Sequence, residues 1–166
     1  MSNIVLMGFM GAGKTTIGKE LAKALGYEFI DTDERIEKEQ GRKISDIFSK
    51  DGEAAFRDME TDLLKRLLNK EERFVLSIGG GMPVRVENRS LLQSLGTVVY
   101  LKTSKEEIIR RVSDDTRRPL LQGGALEEKV TSLMNAREQI YMETACVEVV
   151  TDQKTPQKIA EELLKI

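Results

Sequence analysis

The segment that most constrains this chain is Gly8-Phe9-Met10-Gly11-Ala12-Gly13-Lys14-Thr15, which satisfies G-x-x-x-x-G-K-[ST] at every fixed position and is followed by Thr16. The apolar run Ile4–Met7 precedes it. Ile17, Leu21, Ala24 and Leu25 follow at helical spacing, and Gly26 reads as the helix C-cap. Strand, glycine turn and amphipathic helix in that order form a phosphate cradle, the P-loop or Walker A arrangement. Without side chains in the way, successive backbone N–H groups turn inward around phosphate oxygens, and the helix N-terminus adds partial positive charge. Lys14 is placed to reach the β- and γ-phosphates and the Thr15 hydroxyl to ligate Mg²⁺. The segment therefore implies a nucleoside triphosphate site, with a glycine-rich turn bearing a chance lysine as the bland alternative.

The rest of the chain repeats the alternation that this segment begins. Glu28-Phe29-Ile30 reads as a second strand ending at Asp31, followed by helices around Asp33–Gln40 and Ile44–Asn69. Phe74–Ile78 is a third strand, stopped by Gly79-Gly80-Gly81. A helix near Val84–Leu95 leads into a fourth strand, Thr97–Leu101. Ser104 and Glu107 have capping-box spacing for the next helix. A helix over Leu126–Thr144, a fifth strand Val147–Val150 and a last helix opened by Thr155-Pro156 complete the series. Such alternation implies a parallel sheet with helices on both faces and a site at the strands' carboxyl ends. Two segments depart from it. The helical stretch from about Asp33 to Glu60 is too long for a simple crossover. Ser113–Ala125 is polar, with paired arginines, a proline and Gly123-Gly124, and reads as a flexible loop. At 166 residues, with no repeat or linker, a single domain is expected.

Composition narrows the chemistry. The chain has no histidine, which removes Ser-His-Asp and Cys-His catalysis and every imidazole metal site. A single cysteine, Cys146, excludes an intrachain disulfide and a CxxC motif, suits a reducing compartment, and is expected to be a small packing residue rather than a nucleophile. The seven methionines are expected to fill core. Hydrophobic residues at 40% supply a sizeable core. With 26 basic against 28 acidic residues, no overall charge points to nucleic acid or to an anionic membrane. There is no signal-peptide pattern and no apolar run near the roughly 20 residues that span a bilayer. A cytoplasmic protein without nucleic-acid or membrane partners is expected.

No Asn-Lys-x-Asp guanine reader is present, and the length leaves no room for a motor or AAA companion domain. The third strand runs into glycines where a Walker B aspartate would stand, so the metal-organising carboxylate is sought at Asp31. An extended Asp31-Thr32-Asp33 would point both carboxylates the same way, one toward the magnesium's water shell and the other toward a substrate hydroxyl as base. Asp33 could instead simply N-cap the following helix. Arg57 and Arg137 suit bidentate contact with a carboxylate or phosphate, or are ordinary solvated helix arginines. Glu60, three residues after Arg57, could hold that side chain in place. Gly79–Gly81 is either a flexible turn or a backbone that a ligand can approach closely. The Arg117-Arg118 pair is either solvated charge or a source of a loop arginine closing on the γ-phosphate.

The ordered set of Gly-Ala-Gly-Lys-Thr-Thr, Asp31-x-Asp33, Phe56-Arg57-x-x-Glu60, Gly79–Gly81, Arg118-Pro-Leu-Leu and Arg137-x-x-x-Tyr141 resembles the shikimate kinases over essentially the whole chain. The resemblance implies an α/β fold of the nucleoside-monophosphate-kinase type: a three-layer P-loop kinase with a five-stranded parallel sheet in the order 2-3-1-4-5, helices on both faces and a mobile lid. It implies one domain over 1–166, with a substrate-binding region near 33–60 and a lid near 113–125. The implied reaction moves the γ-phosphate of ATP to the 3-hydroxyl of shikimate, with Mg²⁺, on the route to chorismate and the aromatic amino acids. By position, Asp33, Arg57, Gly80 and Arg137 would bind shikimate. Gly11, Ala12, Gly13, Lys14, Thr15 and Thr16 would hold the phosphates, with Thr15 on the metal and Asp31 acting through its water. Lys14, Asp33 and Arg118 would be catalytic. Arg111, or its neighbour Arg110, and Lys154 before Pro156 would flank the adenine. A monomer is expected. A kinase for another polyol acid, such as gluconate, and a non-catalytic nucleotide-binding module are the rival readings.

Overall fold

The computed structural model describes residues 2–9, 12–113 and 126–166. Five strands, β1 (Asn3–Met7), β2 (Glu28–Asp31), β3 (Phe74–Ser77), β4 (Gly96–Lys102) and β5 (Val147–Val150), form one sheet. Its order is β2-β3-β1-β4-β5 with every pair parallel, as the resemblance implies. The helices are α1 (Lys14–Leu25), α2 (Thr32–Gln40), α3 (Ile44–Asp51), α4 (Glu53–Leu67), α5 (Val86–Leu95), α6 (Lys105–Ser113), α7 (Leu126–Thr144) and α8 (Pro156–Leu163). A 3₁₀ turn, Met82–Val84, separates β3 from α5.

The strand period of two divides the core into two layers. Val5 and Met7 of β1, Phe74 and Leu76 of β3 and Val98 and Tyr100 of β4 face α2, α4, α5 and α7, where Ile36, Phe56, Leu64, Leu92 and Tyr141 meet them. Ile4, Leu6, Val75, Val99 and Leu101 point the other way, onto Ile17 and Leu21 of α1 and Ile159 and Leu163 of α8. Each fully buried aliphatic side chain contributes roughly 1.5–3 kcal/mol, so both faces hold β1 at the centre of the sheet. Its carboxyl end therefore delivers Gly8 and the phosphate turn to a fixed place. A smaller cluster of Phe9, Ile108, Val112 and Val130 ties that turn to α6 and α7.

Several local expectations need correction. Ile44–Asn69 is not one helix: Gly52, at φ +91°, ends α3 by donating to Ile47 and Phe48 carbonyls, and α4 starts afresh at Glu53. Asp33 does not cap α2. Helical geometry already begins at Thr32, and Asp31 is the cap, its Oδ1 accepting from Glu34 N at 3.1 Å. The extended Asp31–Asp33 backbone is thereby excluded. Half of the capping box is present: Glu107 N donates to Ser104 Oγ (3.2 Å), but Ser104 N donates to Asp152 Oδ1 (2.9 Å), and the Glu107 carboxylate faces Arg110 and Arg111 instead. Cys146 is exposed, not a packing residue, because it lies at the turn between α7 and β5. Gly26 and Thr155 are C-cap and N-cap as expected. The lid near 113–125 lies, beyond Ser113, outside the described residues.

Candidate active site

The carboxyl ends of β1, β2 and β3 lie side by side, and each releases one part of the site. After β1, Gly13 takes a left-handed conformation (φ +88°) as the cap from which α1 starts. Lys14 Nζ donates to the Gly8 and Phe9 carbonyls at 2.9 and 3.3 Å, so the side chain arches back over the turn. A Cβ on Gly8 would sit 2.9 Å from the Leu101 carbonyl, and this glycine lets the turn nest against β4. Ala12 is buried beside the turn and Thr16 is exposed on the first turn of α1. Gly11 lies outside the described residues.

From β2 comes Asp31. While Oδ1 caps α2, Oδ2 accepts from Thr15 Oγ1 at 3.4 Å, so the P-loop hydroxyl and the strand-end carboxylate face each other. Asp33, one residue into the helix, is half-buried. Burial and the Asp31 charge push it up to about 6, against the pull of Lys14 and Arg57. A carboxylate that holds a proton more firmly than usual, facing Lys14, is suited to accept one from a hydroxyl.

After β3 comes the glycine turn, and its lack of side chains is what brings the remaining groups together. A Cβ on Gly79 would lie 2.8 Å from Asp33 Oδ1, and one on Gly80 would lie 3.2 Å from Arg137 Nη1. On Gly81 it would overlap the Arg57 guanidinium. None of the three has positive φ, so close approach, and not backbone freedom, is the reason for glycine here. The flexible-turn alternative is excluded by the hydrogen bonds on this segment: Gly79 N donates to the buried Thr32 Oγ1 at 3.1 Å, and the Tyr141 hydroxyl donates to the Gly80 carbonyl.

Arg57 is not a solvated helix arginine. Its Nη1 donates to Glu60 Oε1 at 2.6 Å and its Nη2 approaches Glu53 Oε1 at 3.4 Å. Glu60 is fully buried, and burial pushes its carboxyl up to about 7 although Arg57 pulls it down. Arg137 reaches the same turn from α7, near the Tyr141 hydroxyl. Burial raises the Tyr141 pKa while Arg137 lowers it.

Arg111, not Arg110, lies toward the phosphate loop: its Nη1 would be 3.9 Å from a Cβ on Gly13, while Arg110 is 72% exposed and paired with Glu107. Lys154 pairs with Glu162 of α8 (3.1 Å), in the turn that Asp152 fastens to the start of α6. Arg117 and Arg118 lie outside the described residues. Among the described residues no cluster of three or more acidic or cysteine side chains forms a metal cage, and no helix is long and apolar enough to cross a membrane.

The sequence singled out Asp33, Arg57, Gly80 and Arg137 for substrate, Glu60 as the support of Arg57 and Asp31 for the metal. The structure brings all but Asp31 to the glycine turn, and Thr32, Thr61 and Asn88 were missed. The available signal was polarity on an apolar helix face. Asn88 shares its buried stripe with Leu92 and Leu95, and Thr61 shares one with Leu64.

Known proteins with this sequence pattern agree in kind. The family model described as shikimate kinase matches residues 10–166. A shikimate kinase of Thermodesulfovibrio yellowstonii is 44% identical, over 99% of this chain and 94% of its own length. One from Enterococcus faecalis is 45% identical, over 99% and 98%. The solved structure of a shikimate kinase from Acinetobacter baumannii in complex with shikimate superposes with a TM-score of 0.94 at 41% identity, covering 99% of this chain and 92% of that one. By sequence over nearly its full length, and by fold, this chain belongs to the shikimate kinase family.

Proposed function

We propose that the glycine turn and the three charged side chains around it are the shikimate pocket of this kinase, and that the P-loop beside it holds ATP. The enzyme transfers the ATP γ-phosphate to the 3-hydroxyl of shikimate, giving shikimate 3-phosphate and ADP. The observation that carries the site assignment is the convergence of Asp33, Arg137 and Arg57 on Gly79, Gly80 and Gly81 respectively. Two arginines suit a carboxylate and one half-buried aspartate suits ring hydroxyls.

Arg57, held by Glu60, and Arg137 grip the shikimate carboxylate, and the Gly80 backbone closes the pocket. Asp33 accepts hydrogen bonds from the ring hydroxyls and takes the proton of the attacking one as its oxygen bonds to phosphorus. The bond from the γ-phosphorus to ADP breaks, and the P-loop N–H groups of Gly11 to Thr16 with Lys14 and Arg118 balance the charge that moves. Positioning of two substrates supplies most of the acceleration. Arg111 and Lys154 flank the adenine.

The oxygen pair of Thr15 and Asp31 fits Mg²⁺, which prefers few protein oxygens and keeps several waters. Thr15 would bind it directly and Asp31 through water, and the ion would neutralise phosphate charge. The chain works as a single domain over 1–166, a cytoplasmic monomer, with a substrate-binding region near 33–60 and a lid near 113–125 that excludes water.

ADP release from purified protein with Mg-ATP tests this, comparing shikimate, gluconate, nucleoside monophosphates and no acceptor. Stimulation by shikimate alone is expected. Stimulation by gluconate would discard the roles of Arg57 and Arg137, and ATP binding without transfer would revive a binding module.

A further inference from the structure

The glycine turn and the start of the 3₁₀ turn that follows it are fastened at three points, Gly79, Gly80 and Met82. Thr32 Oγ1 receives Gly79 N and immediately precedes Asp33. Tyr141, which donates to the Gly80 carbonyl, stands one helical turn after Arg137. The third fastening is a relay. Asn88 Nδ2 donates to the Met82 carbonyl at 3.0 Å, and Asn88 Oδ1 accepts from Thr61 Oγ1 at 2.7 Å. Thr61 stands one turn after Arg57, with its hydroxyl 3.0 Å from the Arg57 carbonyl, and accepts from Arg85 Nη1 at 3.1 Å. Thr61 is 5% exposed and Asn88 is fully enclosed.

We propose that Thr61 and Asn88 are positioning residues for shikimate: they set α4 in register with the glycine turn, so that Arg57 meets the substrate carboxylate. The inference rests on the assignment of Arg57 to that carboxylate. The physical ground is that the α4 side chains that reach Gly79 and Gly81 are Glu60 and Arg57, which must stay in place for substrate. A hydroxyl–amide–carbonyl chain fixes the backbone instead, and its two side chains, Thr61 and Asn88, are buried. Removing the Thr61 hydroxyl leaves Asn88 Oδ1 enclosed without its donor, and α4 shifts to relieve it.

The test is steady-state kinetics with both substrates varied. Thr61→Val keeps the shape and removes the hydroxyl; a rise in KM for shikimate of about tenfold is expected, with kcat and KM for ATP within about twofold. Thr61→Ser, which keeps the hydroxyl, restores KM to within about twofold. In the Arg57→Ala background, Thr61→Val adds less than about twofold, because the side chain it positions is gone. Thr61→Ala replaces the valine variant if that one does not fold. A lowered melting temperature with unchanged KM for shikimate, a parallel rise in KM for ATP, or full additivity with Arg57→Ala would each overturn the proposal. If Arg57→Ala itself leaves KM for shikimate unchanged, the pocket assignment fails, and the proposal with it.

Discussion

Glu60 accepts from Arg57 Nη1 through one carboxylate oxygen at 2.6 Å, and its other oxygen, enclosed, has no hydrogen-bond partner among the described residues. The pair is therefore lopsided. Arg57 is steered toward the glycine turn by a carboxylate one turn along its own helix, and Glu60 bears an unrelieved desolvation cost for doing so. An ion pair built only for stability would satisfy both oxygens. This one fixes the direction of a guanidinium.

Arg57→Ala should raise KM for shikimate by about 10- to 100-fold, the range for losing a hydrogen bond to a charged group. The dissociation constant for ATP should stay within about twofold, because Arg57 lies on the β3 side of the site and the phosphate turn hangs from β1. Isothermal titration with ATP alongside initial-rate kinetics with shikimate separates the two. Equal losses for both ligands would remove Arg57 from the acceptor pocket.

Gly81→Ala should reproduce much of that loss without touching an ionisable group. Its new Cβ would overlap the Arg57 guanidinium, which Glu60 holds from behind, so the arginine must leave its position. Gly41→Ala is the control: Gly41 has φ +65° and nothing within 4 Å of its Cβ position. That substitution should cost about 1 kcal/mol of stability through backbone strain and leave KM for shikimate alone. Normal shikimate kinetics in Gly81→Ala would show that the guanidinium has room to spare.

The strand–helix alternation and the P-loop were legible in the sequence because both rest on local rules: strand–turn–helix periodicity, and glycines where backbone must face a phosphate. The sheet order came only with the family resemblance. The pairing of Glu60 with Arg57 was legible for a similar reason, since spacing alone places a carboxylate beside an arginine on one helix face, and Asp31 was legible as the carboxylate that ends the second strand. What escaped were features decided by partners distant in sequence. Ser104 N takes Asp152, 48 residues away, in place of the expected Glu107. The helix break at Gly52 depends on how α3 and α4 fold over the sheet, and the periodicity across Ile44–Asn69 carries no mark of it. Thr61 and Asn88 look unremarkable alone; their meaning comes from a contact across 27 residues.

Asp33→Asn should keep ATP binding and lower kcat by about 10²- to 10⁴-fold, the usual value of a general base. Asparagine preserves shape and hydrogen bonding but cannot take a proton. Rapid-quench measurement of the phosphoryl-transfer step checks this directly. Turnover within about threefold of the parent would leave Asp33 as an orienting group only.

The pH dependence of stability should carry the mark of Glu60. Its carboxyl moves from an ordinary 4.5 to about 7 on folding, chiefly through burial. A raised folded-state pKa means that the folded form binds the proton more tightly, so stability falls as pH rises between those two values and the loss is complete above about 7. Asp33, raised to about 6, adds a fall of the same sign. Glu60→Gln has no proton to lose and mimics the protonated acid. The variant should match the parent near pH 5 and exceed it near pH 8, with a shallower slope between, a difference on the order of a few kcal/mol. Urea unfolding of both proteins without ligands, at intervals across that range, measures it. Parallel curves would mean that Glu60 titrates in the fold as it does in the unfolded chain, and its enclosed oxygen would then need a partner that the fold does not supply.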